Sequence, residues 1–189
     1  MTRAPWLAAL LVLGACSPRY TGKGVALTPE ALVTDRAWTA GRGVPVLRQR
    51  SERDCGPTAL AMVLARFTTE LPPSALVFAA DRRYTSGELR DRARALGFSA
   101  FVVAGTLDDI EHELEEGRPA IVGMAKPTLN GPIAHYEVVV GLNRVDQRVA
   151  TIDPALGLRQ NSVTDFLVEW APAGHVLLVV LGRTEQTAP

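Results

Sequence analysis

From Pro119 onward the chain is a succession of short apolar runs, "PAIVGM", "HYEVVVGL", "VATID" and "HVLLVVLG", rich in Val and Ile and broken by Gly, Pro, Asn and Asp. Runs of this length and composition read as strands joined by turns. Upstream the period changes. Pro57 fits the first position of a helix in which Leu60, Val63, Leu64 and Phe67 fall on one face, ending near "TTELPP". Ser86 to Leu96 reads as a second helix, with Ser86 as its cap and Gly97 as its stop. "FSAFVV" then reads as a strand, and Thr106 to Glu116 as a third helix with Thr106 and Asp109 at capping-box spacing. A short helix near "SVTDFLVEW" precedes the last strand. Helices first and strands later predict an α+β domain whose mostly antiparallel sheet packs on the first helix.

The N-terminal stretch "MTRAPWLAALLVLGAC" carries Arg3, an apolar run from Ala4 to Ala15, and small residues before Cys16. That is the pattern of a secretory signal, and the run is too short to cross a bilayer that needs about 20 helical residues. Leu13-Gly14-Ala15-Cys16 resembles a bacterial lipobox, which implies cleavage before Cys16 and acylation of its thiol; the other reading is an ordinary cleaved signal peptide with an incidental cysteine. Ser17 in the following position implies the outer membrane, with the domain exported to the periplasmic side. Residues 16–43 are rich in Gly, Pro and polar side chains, with one short amphipathic turn at Pro29 to Val33, and read as a tether. Val44-Pro45-Val46-Leu47 is then expected to be a lead-in strand. The predicted organisation is a signal peptide over 1–15, a lipid-anchored tether over 16–43, a catalytic domain over 44–183 and a tail over 184–189.

With Cys16 acylated, Cys55 has no thiol partner, in an exported compartment where idle thiols oxidise. Cys55-Gly56-Pro57 opens the first helix, and a helix N-terminus carries partial positive charge that favours a thiolate. Gly56 is expected to let a substrate backbone approach closely. A thiolate nucleophile also needs a base. Of three histidines, His112 lies in the acidic "DDIEHELEEG" helix and reads as a surface residue, and His175 reads as a strand-edge residue. His135 opens "HYEVVVGL" and Asp153 ends "VATID"; the midpoint of the two positions, 144, falls in the polar turn between them. A hairpin folded there sets His135 opposite Asp153, where a carboxylate fixes the imidazole tautomer. From these residues alone, a strand-edge histidine and an Asp-Pro turn are an equal reading. Gln49 can add a carboxamide N–H to the backbone N–H of Cys55 as a pair of oxyanion donors.

Gln49, "DCGPTALAMVL", "HYEVVVG" and "IDPALG" together strongly resemble cysteine peptidase family thirty-nine, the papain-like peptidases that include double-glycine leader peptidases. The resemblance spans Val46 to about Leu181. It implies a papain-like fold and a hydrolase acting on a peptide or protein, with Cys55 as nucleophile, His135 as base, Asp153 as orienting acid and Gln49 as oxyanion donor. A transferase like phytochelatin synthase, or a non-catalytic peptide-binding module, would retain the same cleft. The sequence has no GxxxxGK[ST] loop such as transporter-fused relatives carry. No cofactor or metal is expected, because the histidines lack ligand spacing and Cys55 has no CxxC companion. Twenty basic and twenty acidic residues, interspersed, do not form the one-sided basic surface of a nucleic-acid binder.

Overall fold

The computed structural model describes residues 20–41, 43–68, 78 and 82–183. The signal sequence, Cys16 and the C-terminal tail lie outside these residues. The described residues form eight strands: β1 (Val25–Ala26), β2 (Thr39–Ala40), β3 (Phe98–Ala104), β4 (Ala120–Lys126), β5 (Ile133–Asn143), β6 (Arg148–Asp153), β7 (Gly157–Ser162) and β8 (Val176–Arg183). Five helices accompany them: α1 (Pro29–Thr34), α2 (Cys55–Ala65), α3 (Ser86–Ala95), α4 (Leu107–Glu115) and α5 (Val163–Trp170). The strands pair antiparallel in the order β1-β7-β6-β5-β4-β8-β3, with β2 joined to β5. This is the expected α+β class.

Both faces of the sheet are covered. Leu60, Val63 and Leu64 of α2 and Leu89 and Ala93 of α3 pack with Val138, Val140, Ile152, Leu178 and Val180. The alternate residues Val122, Met124, Val139, Leu177 and Val179 meet Ile110 and Leu114 of α4 and Phe166 and Trp170 of α5. Strand side chains point to opposite faces in alternation, so a run of Val and Leu on neighbouring strands builds both cores at once.

Several local expectations are corrected. α2 starts at Cys55, not Pro57; Pro57 is still within the first turn, whose N–H groups have no intrahelical acceptor. The cap of α3 is Thr85, which accepts from Glu88 N while Glu88 Oε2 accepts from Thr85 N at 2.8 Å, a full capping box one residue earlier than expected. The box on α4 is present at Thr106 and Asp109. Val44–Leu47 joins no strand, and Pro45 has no N–H to offer a ladder. β7, "GLRQNS", escapes a reading by apolar alternation because its pairing to β6 and β1 is a backbone affair.

The tether also differs. From Tyr20 on, it lies on the domain: β1 pairs with β7, β2 pairs with β5, and Leu32 of α1 is buried. Leu27, Leu32 and Trp38 supply the apolar surface that holds it there. Gly141 makes room for it, since a Cβ there would come 2.8 Å from Leu32 and 3.0 Å from Trp38.

Candidate active site

Cys55 is the first residue of α2 and is 4% exposed. Its helix is eleven residues long and points its positive end at the sulfur. Gly56 is buried, and a Cβ on it would come 3.0 Å from Leu89 and 3.1 Å from the Tyr136 ring. The glycine therefore admits Tyr136 and Leu89, rather than the substrate backbone the sequence suggested.

His135 near the start of β5 is 3% exposed, and Asp153 at the end of β6 is fully buried. They meet, although not by the expected register. β5 and β6 pair as Val138 with Ile152, so one residue further Glu137, not His135, is level with Asp153. The turn at Arg144 to Gln147 moves the hairpin centre past 144, and the β-bulge between Val139 and Gly141 brings it only part of the way back. The imidazole reaches along the strand and donates from Nε2 to Asp153 Oδ1 at 2.8 Å, while Ala155 N donates to the same oxygen at 2.7 Å. Arg83 Nη1 donates to Ala134 O at 3.0 Å and pins the strand beside His135.

The imidazole also lies near enough to Cys55 for the two groups to shift each other's protonation, so one ring faces both partners. Burial resists charge on the ring, but the hydrogen bonds of Asp153 and Cys55 and the negative charge of Asp153 outweigh it and raise His135 to about 9. Burial likewise pushes the Cys55 thiol up, yet the hydrogen bond and positive charge of His135, with help from backbone groups of Tyr136 and Gly56, bring it below its usual value. Asp153 is held below the ordinary carboxylate range despite its burial, chiefly by the His135 hydrogen bond. A thiolate beside an imidazolium is the favoured charge state of such a group.

Gln49 lies beside the turn that follows β6, its backbone N donating to Pro154 O at 3.0 Å. Its carboxamide oxygen is buried and has no protein hydrogen-bond partner. His112 is exposed, as expected, and His175 stacks edge-on against Trp170 at 5.0 Å.

Two further features went unread in the sequence. Glu137 lies on the same face of β5 as His135, two residues on, and Lys126 Nζ sits 2.8 Å from its carboxylate and 2.7 Å from that of Glu169. All three are buried. The near-regular apolar strands around them gave only weak notice: three charged residues at strand and helix positions that otherwise face inward. His135, Glu137 and Asp153 offer ligand atoms within 4.8 Å of one another. Glu137 is already neutralised by Lys126 and His135 Nε2 is committed to Asp153, so side chains themselves balance the cluster. The other feature is Tyr20, whose hydroxyl lies 3.2 Å from His135 Nδ1 and whose ring lies 5.3 Å from the imidazole.

The Peptidase C39 family model matches residues 43–183. The chain belongs to the Peptidase C39 family. It is thus a cysteine peptidase, a hydrolase, as its motifs implied. Solved structures agree with this fold. The peptidase domain of Streptococcus ComA, a bifunctional ABC transporter involved in a quorum-sensing pathway, is 20% identical with a TM-score of 0.60, covering 75% of this chain and 100% of that one. A double glycine motif protease from an AMS/PCAT transporter, crystallised with the leader peptide, is 20% identical with a TM-score of 0.57, covering 75% and 92%. A C39-like peptidase from Bacillus anthracis is 17% identical with a TM-score of 0.56, covering 76% and 96%. No curated protein matches. Among the described residues of this C39 peptidase, no helix is long and apolar enough to cross a membrane.

Proposed function

We propose that this C39 peptidase is a lipid-anchored enzyme that cleaves peptide bonds through a Cys55-His135-Asp153 triad and an acyl-enzyme. The observation that carries the reading is the buried imidazole of His135, which hydrogen-bonds Asp153 and lies near enough to the sulfur at the head of α2 to hold that thiol below its usual value. In the reaction the Cys55 thiolate attacks the scissile carbonyl carbon, and the oxyanion is met by the Cys55 backbone N–H and the Gln49 carboxamide. The proton on His135 Nδ1 passes to the leaving amine as the tetrahedral intermediate collapses to a thioester. Water then attacks that thioester, gives its proton to Nδ1, and releases the acid and the thiolate. Asp153 stays ionised and keeps Nε2–H pointed away from the sulfur, so Nδ1 does the proton transfer.

A relative of the same fold was solved with a leader peptide bound, which supports an extended peptide as the substrate class here. Cys16, as the acylated N-terminus of the mature chain, would tether the domain to the outer membrane on the periplasmic side.

The test is direct. Cys55→Ala is expected to abolish labelling by a peptidyl vinyl sulfone and hydrolysis of endogenous peptides, read by comparing peptide termini in cells carrying either form. Termini that do not differ would remove the peptidase reading for this chain, and amine conjugates in place of free acids would make it a transferase. Cys16→Ser should move the protein from the membrane fraction to the soluble one.

A further inference from the structure

His135 has two ring nitrogens, and Nε2 is occupied by Asp153. Nδ1 is therefore the atom that must protonate a leaving amine, which has to come within hydrogen-bond distance of it. Tyr20 Oη already stands 3.2 Å from that nitrogen. Two groups cannot hold one position. The tyrosine ring adds a face over His135 and lies 5.6 Å from Lys126 Nζ, so it covers the side of the imidazole that it also bonds. With Cys55 4% and His135 3% exposed, a peptide carbonyl has no open approach to the sulfur in this arrangement.

The segment that brings Tyr20 there is fastened at several points. Tyr20 bridges to Thr128 and Thr21 N donates to Pro127 O at 2.9 Å, both on the loop that precedes His135. Lys23 pairs with Asp165 at 3.2 Å, Arg159 donates to Gly24 O, and β1 closes the run against β7. Gly22 passes directly over Glu169, where any Cβ would collide with the carboxylate. These fastenings are few and mostly near the surface, each worth about a kcal/mol or less, so the strap is removable without unfolding the domain.

We propose that Tyr20 to Ala26 is a strap that closes the catalytic cleft, with the Tyr20 hydroxyl standing in for the leaving group on His135, and that substrate gains access only when the strap lifts. The proposal rests on the triad reading above. Burial and the nearby negative charge of Asp153 push the Tyr20 phenol well above its ordinary value, so it remains a neutral hydroxyl throughout the working pH range and does not leave by ionising. A mechanical or competitive event has to displace it.

The test compares wild type, Tyr20→Ala, Tyr20→Phe and Gly22→Val in the rate at which a peptidyl vinyl sulfone labels Cys55. Tyr20→Ala removes the plug, and Gly22→Val lifts the strap without touching the plug or the catalytic groups. Both are expected to label at least about tenfold faster, equal to about 1.4 kcal/mol. Tyr20→Phe keeps the ring and loses the hydroxyl, and should lie between. Should one alanine or valine variant fail to fold, the other and Tyr20→Phe still read the effect. Labelling equal to or slower than wild type in the folded variants overturns the strap and makes Tyr20 a helper of His135. The triad has a separate readout: labelling of Tyr20→Ala must collapse when His135→Ala is added. If it does not collapse, the triad fails while faster labelling still establishes the strap.

Discussion

Asp153→Asn separates the charge of the carboxylate beside His135 from its geometry. Asp153 Oδ1 accepts both His135 Nε2–H at 2.8 Å and Ala155 N–H at 2.7 Å, and the amide oxygen of asparagine can take the same two bonds. The other carboxylate oxygen is buried without a hydrogen-bond partner, so the new NH₂ group loses no bond that the acid had. What disappears is one negative charge against the imidazolium. A hydrogen bond to a charged group is worth about 1.5–3 kcal/mol against about 1 for a neutral one. At 1.36 kcal/mol per unit, the loss lowers the His135 value by roughly 0.4 to 1.5 units. It falls from about 9 in the native protein to roughly 7.5–8.6. At pH 8 the native ring is about nine-tenths protonated and the variant roughly one-quarter to four-fifths, so the charged pair thins by up to roughly fourfold. The sign is fixed: a carboxylate stabilises the protonated ring, so its loss must lower the value and must raise that of the Cys55 thiol. Histidine labelled with ¹³C at Cε1 reports the titration by NMR, with His135→Ala identifying the signal, and the acid limb of Cys55 alkylation by iodoacetamide reports the thiol. An unmoved or upward-moving His135 titration would refute the argument that Asp153 acts through its charge.

Gln49→Ala should lower peptide hydrolysis by about 10²–10³ in kcat while leaving iodoacetamide alkylation of Cys55 unchanged, because alkylation forms no oxyanion. Lys126→Met strands Glu137 and Glu169 in the core; it should cost roughly 3–5 kcal/mol, which at about 2–4 °C of Tm per kcal/mol is roughly 6–20 °C by calorimetry. Replacing Glu137 and Glu169 by leucine as well should recover most of that loss, since no buried charge is then left unpaired. Gly56→Ala sets a methyl against Tyr136 and Leu89 and should destabilise by about 1–3 kcal/mol, measured by urea unfolding, with slower Cys55 labelling as the residue beside His135 shifts.

Where a residue's role follows from its immediate neighbours in the chain, the sequence was sufficient. Cys55 at a helix N-terminus, the capping box at Thr106 and the Val-rich strands depend on local periodicity and were legible. The pairing of His135 with Asp153 was legible as a juxtaposition but not as a register, because the turn is centred past 144 and the bulge in β5 only partly restores the alignment, and neither leaves a mark in residue type. β7 carries Arg159, Gln160 and Asn161 and is held between β6 and β1 by backbone bonds, so hydrophobic pattern had nothing to detect. Lys126, Glu137 and Glu169 come from three separate elements and acquire meaning only in the fold. Tyr20 was hidden for the opposite reason: its polar, glycine-rich surroundings have the composition of a linker, and composition says nothing of what a linker touches.

The place where Tyr20 is pinned also sets a leash length. Four peptide steps separate it from Cys16, which reach at most about 14 Å when fully stretched. Were Cys16 acylated and seated in a bilayer, as proposed, the closed enzyme would be held with its His135 ring almost against the lipid headgroups. Peeling the chain back to Leu27 allows eleven steps, about 40 Å at most. Under that proposal, uncovering the His135 ring and extending the radius over which the enzyme can forage would be one and the same movement.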